Sequence, residues 1–392
     1  MINKQFDLIT KEDIDALVTN EVAESRTLEY KDKLLINKGD EKKEFLKDVT
    51  AFANASGGDL IFGIQEKIDA EGKTTGIPES AHGLEVNNLD VFKLQLENII
   101  LNCVSPRFSF RIQAIHGFKN GSVIIIRIFE SWNSPHIITT MTSPFYARNS
   151  AGKYPLDITE IRSAFAMSES LPEKIRGFRD VRLSKIMARE APINLYSKNI
   201  LVVHLLPIAS IRKTINIDLL AVEDKIREAV LITPNPNHPS RSRYNIDGFL
   251  KYLDETTKDT PSYVQFFREG AIEAVVSLSP SIKSYGNKRY IEGKELQKNL
   301  VFSLKSYVEI LKNIEINLPI FVLVSLIGLK GCQIISNLND LGLNLDKVDR
   351  DVLFIPDCLI DNYDESLLSE ILRPAFDILW QSSGWKSCPL YD

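Results

Sequence analysis

Apolar and polar positions along the chain alternate in segments of two kinds. Residues 41–53 carry Phe45, Leu46, Val49, Phe52 and Ala53 on one stripe, which predicts a helix with a single buried face. Asn54 through Gly58 should end it, because Asn and Gly tolerate left-handed backbone at a helix terminus. LIFGI (60–64) follows as a continuous apolar run, the pattern of a central strand. Upstream, Leu28 and Tyr30 alternate with Glu29 and Lys31 over residues 25–31, as a short strand requires. Thr10 and Asp13 stand ahead of Ile14, Leu17 and Val18 as the cap of an earlier helix, and Asn37-Lys38-Gly39-Asp40 reads as a turn. Residues 87–101 have helical composition. Runs at 107–115 and 122–129 flank Lys119-Asn120-Gly121, a strong hairpin signal. A short strand at 144–149 and a helix at 157–166 complete the first half.

The second half repeats the mixture without repeating the sequence. Strands are expected at 200–206, 263–267, 271–278 and 320–326, and helices at 296–311 and 370–380, where Pro374 can shift the start or kink the helix. A chain of 392 residues exceeds one ordinary core. The pattern therefore predicts a mixed α/β (α+β) protein. Its expected parts are a domain over 1–167, a connecting segment or helix over 168–195, and a second mixed domain over 196–392.

Composition narrows the function classes. Hydrophobic content of 44% and charged content of 25% suit a soluble globular protein. The most apolar run, 318–329, is too short to span a bilayer and contains Pro319. The first residues lack an apolar signal core. A cytoplasmic protein without a membrane partner is expected. Four cysteines lie scattered without CxxC spacing, and five histidines show no HExxH, so zinc chemistry has no support. No GxxxxGK[ST] loop occurs, so no ATP is expected. The net charge of −5 argues against a uniformly basic surface but leaves room for a local basic groove.

The candidate chemistry gathers between residues 24 and 67. Glu24, Glu29 and Glu66 punctuate ESRTLEYKDK and DVTAFANASGGDLIFGIQEK. Three acids brought to one rim repel one another unless protons or a cation neutralise them, which suggests a site for Mg²⁺ or Mn²⁺. Lys31 would share the strand face of Glu29 and stabilise phosphate charge. The plainer reading is a solvated face where Glu24 and Glu29 pair with Arg26 and Lys31. Asn54, Gly57 and Gly58 either let backbone N–H groups approach a phosphate or simply make the helix-to-strand turn, and the turn is the simpler account. Arg148 follows Phe145 and Tyr146, as suits base stacking beside a phosphate contact. Arg176, Arg179 and Arg182 lie in a basic run that would track a nucleic-acid backbone if they share a face; a solvated connecting helix explains them nearly as well. His204, inside LVVHLLP, reads as a buried or strand-exit histidine rather than a base, and Trp380 and Trp385 as packing anchors.

Taken as an ordered set, LEYK, AFANASGG, LIFGIQEK and FYARNS resemble the Schlafen AlbA-type (AlbA_2) domain over roughly residues 15–165. The resemblance implies an AlbA-like mixed sheet with packed helices. It also implies a divalent-metal-dependent endoribonuclease acting on structured RNA such as tRNA, in which Glu24, Glu29 and Glu66 bind metal and Lys31 assists at phosphate. Glu66 departs from the family, where aspartate is more common. One lobe is present where vertebrate members use two, so a homodimer is the implied assembly. YVQFFREGAIE, PIFVLVSLIGLKG and LRPAFDILW resemble the extension of bacterial members and carry no assigned chemistry. A role in phage defence or stress response follows from the resemblance alone. The alternatives are a non-catalytic DNA-binding regulatory protein and a structural assembly subunit.

Overall fold

The computed structural model describes all residues except 3, 5, 37–38, 142–144, 151, 196, 214, 234–238, 254–259, 279–280, 362, 364–366 and 391–392. The first half of the expected turn at 37–40 and the start of the expected strand at 144–149 lie outside the described residues. The chain divides into two units, Met1–Leu171 and Pro172–Asp392.

In unit 1 the helices are α1 (Lys11–Thr19), α2 (Gly39–Ala53), α3 (Leu89–Cys103) and the start of α4 (Ile158–Met187). The strands are β1 (Leu28–Lys31), β2 (Gly58–Phe62), β3 (Ile64–Ile68), β4 (Thr74–Ala81), β5 (Val104–Ser105), β6 (Phe110–Phe118), β7 (Gly121–Ile128), β8 (Ile137–Ile138), β9 (Tyr146–Asn149) and β10 (Gly152–Pro155). A four-stranded sheet runs β1-β2-β7-β6, with β1 parallel to β2 and the other pairs antiparallel. Both of its faces are covered. Leu60, Phe62, Ile124, Ile126 and Ile128 pack against the apolar stripe of α2 and against Leu96 and Ile100 of α3. Ile61, Val123 and Ile125 turn the other way, onto Leu28, Tyr30 and Ile14 of α1. Two buried faces explain why GDLIF and VIIIRI read as continuous apolar runs rather than as alternation.

β1 ends the sheet, and its register sets the chemistry. Leu28 and Tyr30 join the α1 side, so Glu29 and Lys31 must face α2. Gly63 then breaks what the sequence suggested was one strand. Its φ is +91°, and a Cβ there would come 2.8 Å from Gly83 Cα, so only glycine fits where β2 turns into β3. β3 and β4 form a separate hairpin whose register shifts at Glu66.

Unit 2 holds β11 (Ile200–Pro207), β12 (Ser240–Tyr244), β13 (Gly248–Leu253), β14 (Ser262–Phe267), β15 (Ile272–Ser277), β16 (Lys283–Tyr285), β17 (Lys288–Glu292), β18 (Ile320–Ile327), β19 (Cys332–Ile335), β20 (Val352–Phe354) and β21 (Cys358–Ile360). Its helices are α5 (Ile208–Arg212), α6 (Glu223–Arg227), α7 (Gly293–Asn313) and α8 (Leu368–Gln381), besides the end of α4. An eight-stranded sheet runs β12-β13-β14-β15-β11-β18-β20, with β21 also on β18; β16-β17-β19 form a smaller sheet. α7 and α8 cover one face of the large sheet through Leu300, Leu304, Phe376 and Leu379, while Leu183 and Ile186 of α4 cover the other. The architecture is mixed α/β throughout. Residues 168–187, expected as a linker or a helix, are helical.

Candidate functional site

Glu24 lies just ahead of β1 and is held by backbone on both sides. Its N–H donates to Gly76 O at 2.7 Å, and its Oε1 accepts from Tyr30 N at 2.7 Å. Glu66 reaches the same place from β3, its Oε2 accepting from Gly76 N at 3.0 Å. The register shift at Glu66 re-aims this side chain, as a bulge does. A Cβ built on Gly76 would lie 3.6 Å from Glu24 Oε2, so both acids meet at Gly76.

Burial pushes the Glu24 carboxyl up to about 7; the Tyr30 N–H pulls against it, the fields of Glu29 and Glu66 add to the rise, and Lys31 opposes it least. Glu29 is buried, and burial alone would raise it too. Lys31 and Arg148 both pair with it, and together they hold its carboxyl below the ordinary range. Lys31 in turn is held above the usual lysine range: burial opposes its charge, but Asp48, Glu29 and Glu24 outweigh burial.

Asp48 is the member that the sequence reading missed. It sits on α2, 3% exposed, and bonds Lys153 Nζ of β10 at 2.5 Å. Burial first, then Glu29, pushes its carboxyl up to about 6. The signal was available: Asp48 falls three residues after Phe45 and four before Phe52, inside the apolar stripe of α2. An acid in such a stripe is buried and must be paired.

Several residues assigned to nucleic acid serve the protein instead. Arg148 is 4% exposed, bonded to Glu29 and to Ser25 O at 3.0 Å, with its guanidinium 3.9 Å from the centre of the Phe52 ring. It is a buried counter-ion, because β9 points it inward over α2. Arg182 donates twice to the fully buried Glu273, at 2.7 and 2.7 Å, and buried Arg179 donates to Asp357 at 3.1 Å. Both secure α4 within unit 2. Arg176 is exposed, its Nε turned back to Pro172 O. Gly57 and Gly58 are buried, and a Cβ would come 2.5 Å from Ile128 O at Gly57 or 2.4 Å from the Phe52 ring at Gly58. They make the turn. Asn54 spends its amide on protein, donating to His136 O and Tyr146 O at 2.9 and 2.8 Å and accepting from His136 N at 2.6 Å. That brace fixes β9, and through it Arg148. His204, as expected, lies in the core, where it bonds Glu273.

Glu24 and Glu66 thus meet at Gly76, Lys31 and Arg148 pair with Glu29, and Asp48 pairs with Lys153. Carboxylate oxygens are the donors that Mg²⁺ and Mn²⁺ prefer. Glu24 carries the electrostatic cost of neighbouring acids that a cation relieves, and Lys31 and Arg148 now supply positive charge at Glu29. The donor set fits a hard divalent cation chemically. Among the described residues, no three His, Cys, Asp or Glu side chains form a ready metal-binding group.

Unit 1 is thus a mixed sheet between helices with a charged cluster at its edge strand. Residues 24–157 match the family model described as Schlafen, AlbA_2, and this part of the larger chain is an AlbA_2 domain. None of the curated proteins compared matches the chain. Among solved structures, the N-terminal domain of a RecG-related protein from Nitrosomonas europaea shares 21% identity, with 36% of this chain and 88% of that chain covered and a TM-score of 0.28. The DIP2311 protein from Corynebacterium diphtheriae shares 10% identity, covers 67% of this chain and 79% of its own, and has a TM-score of 0.26. Among the described residues, no helix is long and apolar enough to cross a membrane.

Proposed function

We propose that unit 1 binds RNA and that its acid–lysine cluster cleaves the phosphodiester backbone with the help of a divalent cation. The observation that carries this reading is the meeting of Glu24 and Glu66 at Gly76, within the field of Glu29 and beside Lys31. Glu24, Glu29 and Glu66 would hold the cation, Mg²⁺ or Mn²⁺. When bound, it would supply a polarised phosphate and a more acidic water. Lys31, freed from Glu29, would neutralise charge on the phosphate oxygens. Arg148 keeps Glu29 ionised and in place. A structured RNA of the tRNA kind is the proposed substrate, and a second copy of the chain is the proposed second lobe.

The test incubates purified protein with total RNA and Mn²⁺, beside Glu66→Gln and Lys31→Met. Cleavage by the wild type, abolished in Glu66→Gln and cut about a hundredfold in Lys31→Met, is the expected result. One observation favours a second reading: Glu29 is already neutralised by two internal cations. If wild type and variants bind nucleic acid alike and none cuts it, unit 1 is a non-catalytic binding module.

A further inference from the structure

α3 is apolar on two opposite faces, and the core covers one of them. Leu89, Leu96 and Cys103 turn inward onto the sheet, where Leu96 and Cys103 are buried. Val91, Leu94 and Leu101 turn outward and are 51%, 57% and 38% exposed. A helix with one side to bury carries one stripe, as α2 does; a second stripe implies a second cover. The outward residues have the spacing of a two-stranded coiled-coil seam. Val91 and Asn98 hold one position of the seven-residue repeat, and Leu94 and Leu101 hold the position three residues on. A β-branched residue at the first and leucine at the second favour two parallel strands, and a lone asparagine at the first fixes their register. Asn98 is exposed, and its amide has no partner among the described residues. The flanks of the seam are acidic on one side, Asp90 and Glu97, and amides on the other, Gln95 and Asn102. Two such helices laid parallel set each acid against an amide of the other copy, whereas an antiparallel pair sets acids against acids. No cation lies on the seam or these flanks, so the face offers a phosphate backbone nothing to hold.

We propose that α3 is the contact between two copies of this chain, paired parallel and in register about Asn98. Val91, Leu94 and Leu101 each meet their own counterpart. The two Asn98 amides, each both donor and acceptor, bond one another across the seam. The core already holds α3 folded through its inner face, so a seam of four positions need not nucleate the helix. Such a seam buries less than the ~1,600 Å² of a standard interface, and the pair forms with a Kd on the order of 10–100 µM. The contact gives the second copy in the cleavage scheme a surface. What the pair does with RNA rests on that scheme, while the contact itself does not.

Sedimentation equilibrium of the full chain over about 1–200 µM reads the association, and the wild type should pass from monomer to dimer in this range. Leu94→Lys sets two ammonium groups against each other in the seam and should weaken the dimer about a hundredfold or more. Leu94 is exposed in the single chain, so the variant should melt with the wild type in dilute solution. Asn98→Cys, held in a thiol–disulfide buffer, should yield a covalently linked dimer, because in-register pairing brings the two Cα atoms within disulfide reach. Gln95→Cys, on the edge of the seam, should link far more slowly. The four native cysteines are buried and do not compete. A wild type that stays monomeric throughout overturns the pairing, and so does a dimer that Leu94→Lys leaves intact, which would use another surface. A dimer in which Asn98→Cys links no faster than Gln95→Cys overturns the parallel register. Cleavage of RNA by a monomeric wild type would sink the pairing and keep the nuclease; a dimer made through α3 that never cuts RNA would do the reverse.

Discussion

Glu24 shows how one residue records its surroundings. Burial first, with the fields of Glu29 and Glu66 added, raises its carboxyl from the ordinary 4.5 to about 7 in the folded protein. The folded state therefore holds this proton more tightly than the unfolded chain does. The stability it contributes is present below about 4.5, declines between there and about 7, and is gone above. Glu24→Gln keeps an oxygen for the Tyr30 N–H and removes the ionisation. In chelator, the variant should melt near the wild type at about pH 4 and above it at about pH 8, by about 1–2 kcal/mol after solvent screening. Melting temperature against pH reads this directly; a constant offset across the range would mean that Glu24 is not held in the field of the other acids. The sequence supplied Glu24, Glu29, Glu66 and Lys31 because they punctuate short motifs. It could not supply the partners of Arg148, since an arginine after two aromatics looks the same whether β9 turns it outward to a base or inward to Glu29.

At the scale of elements, legibility followed periodicity. The helix over 41–53 and its passage into the LIFGI strand appear as α2 and β2, and the Asn-Gly signal lies at the turn of the β6–β7 hairpin. The helix expected at 157–166 and the linker or helix expected after it form one element, α4, which continues to Met187. Of the basic run on it, Arg179 and Arg182 are buried and Arg176 is exposed. Arg182 looks solvated by composition, but at helical spacing it shares a face with Leu183 and Ile186 and meets Glu273 across the sheet. Glu273 also accepts from Tyr263 at 2.9 Å and contacts His204 at 3.1 Å, but Arg182 is the guanidinium that balances its charge. Arg182→Met should cost about 3–5 kcal/mol by leaving that buried carboxylate without its guanidinium counter-charge. Arg182→Met with Glu273→Gln should recover part of the loss, because the amide is neutral. Urea unfolding would show it, and a double variant no more stable than the single one would deny the pair its role in holding α4.

At the scale of the whole molecule, the charges that the sequence offered to nucleic acid are largely spent within the protein. Arg148, Arg179 and Arg182 are buried and bonded to acids, Lys31 and Lys153 stand on carboxylates, and the chain carries a net charge of −5. Binding that depended on a broad basic surface would weaken steeply with salt, since each phosphate contact releases counterions. Binding through the proposed cluster would instead depend on a divalent cation to offset the acids and free Lys31. Anisotropy of a labelled single-stranded RNA should therefore show tighter binding in Ca²⁺ than in EDTA. Between about 50 and 200 mM KCl, the slope of log K against log salt should be shallow, about −2 or less in magnitude, equivalent to two or three phosphate contacts at roughly −0.7 each. A slope near −5 with no response to Ca²⁺ would place the RNA on a basic surface away from Glu24, Glu29 and Glu66. The same acids would then be structural, held by the lysines and arginine that now neutralise them.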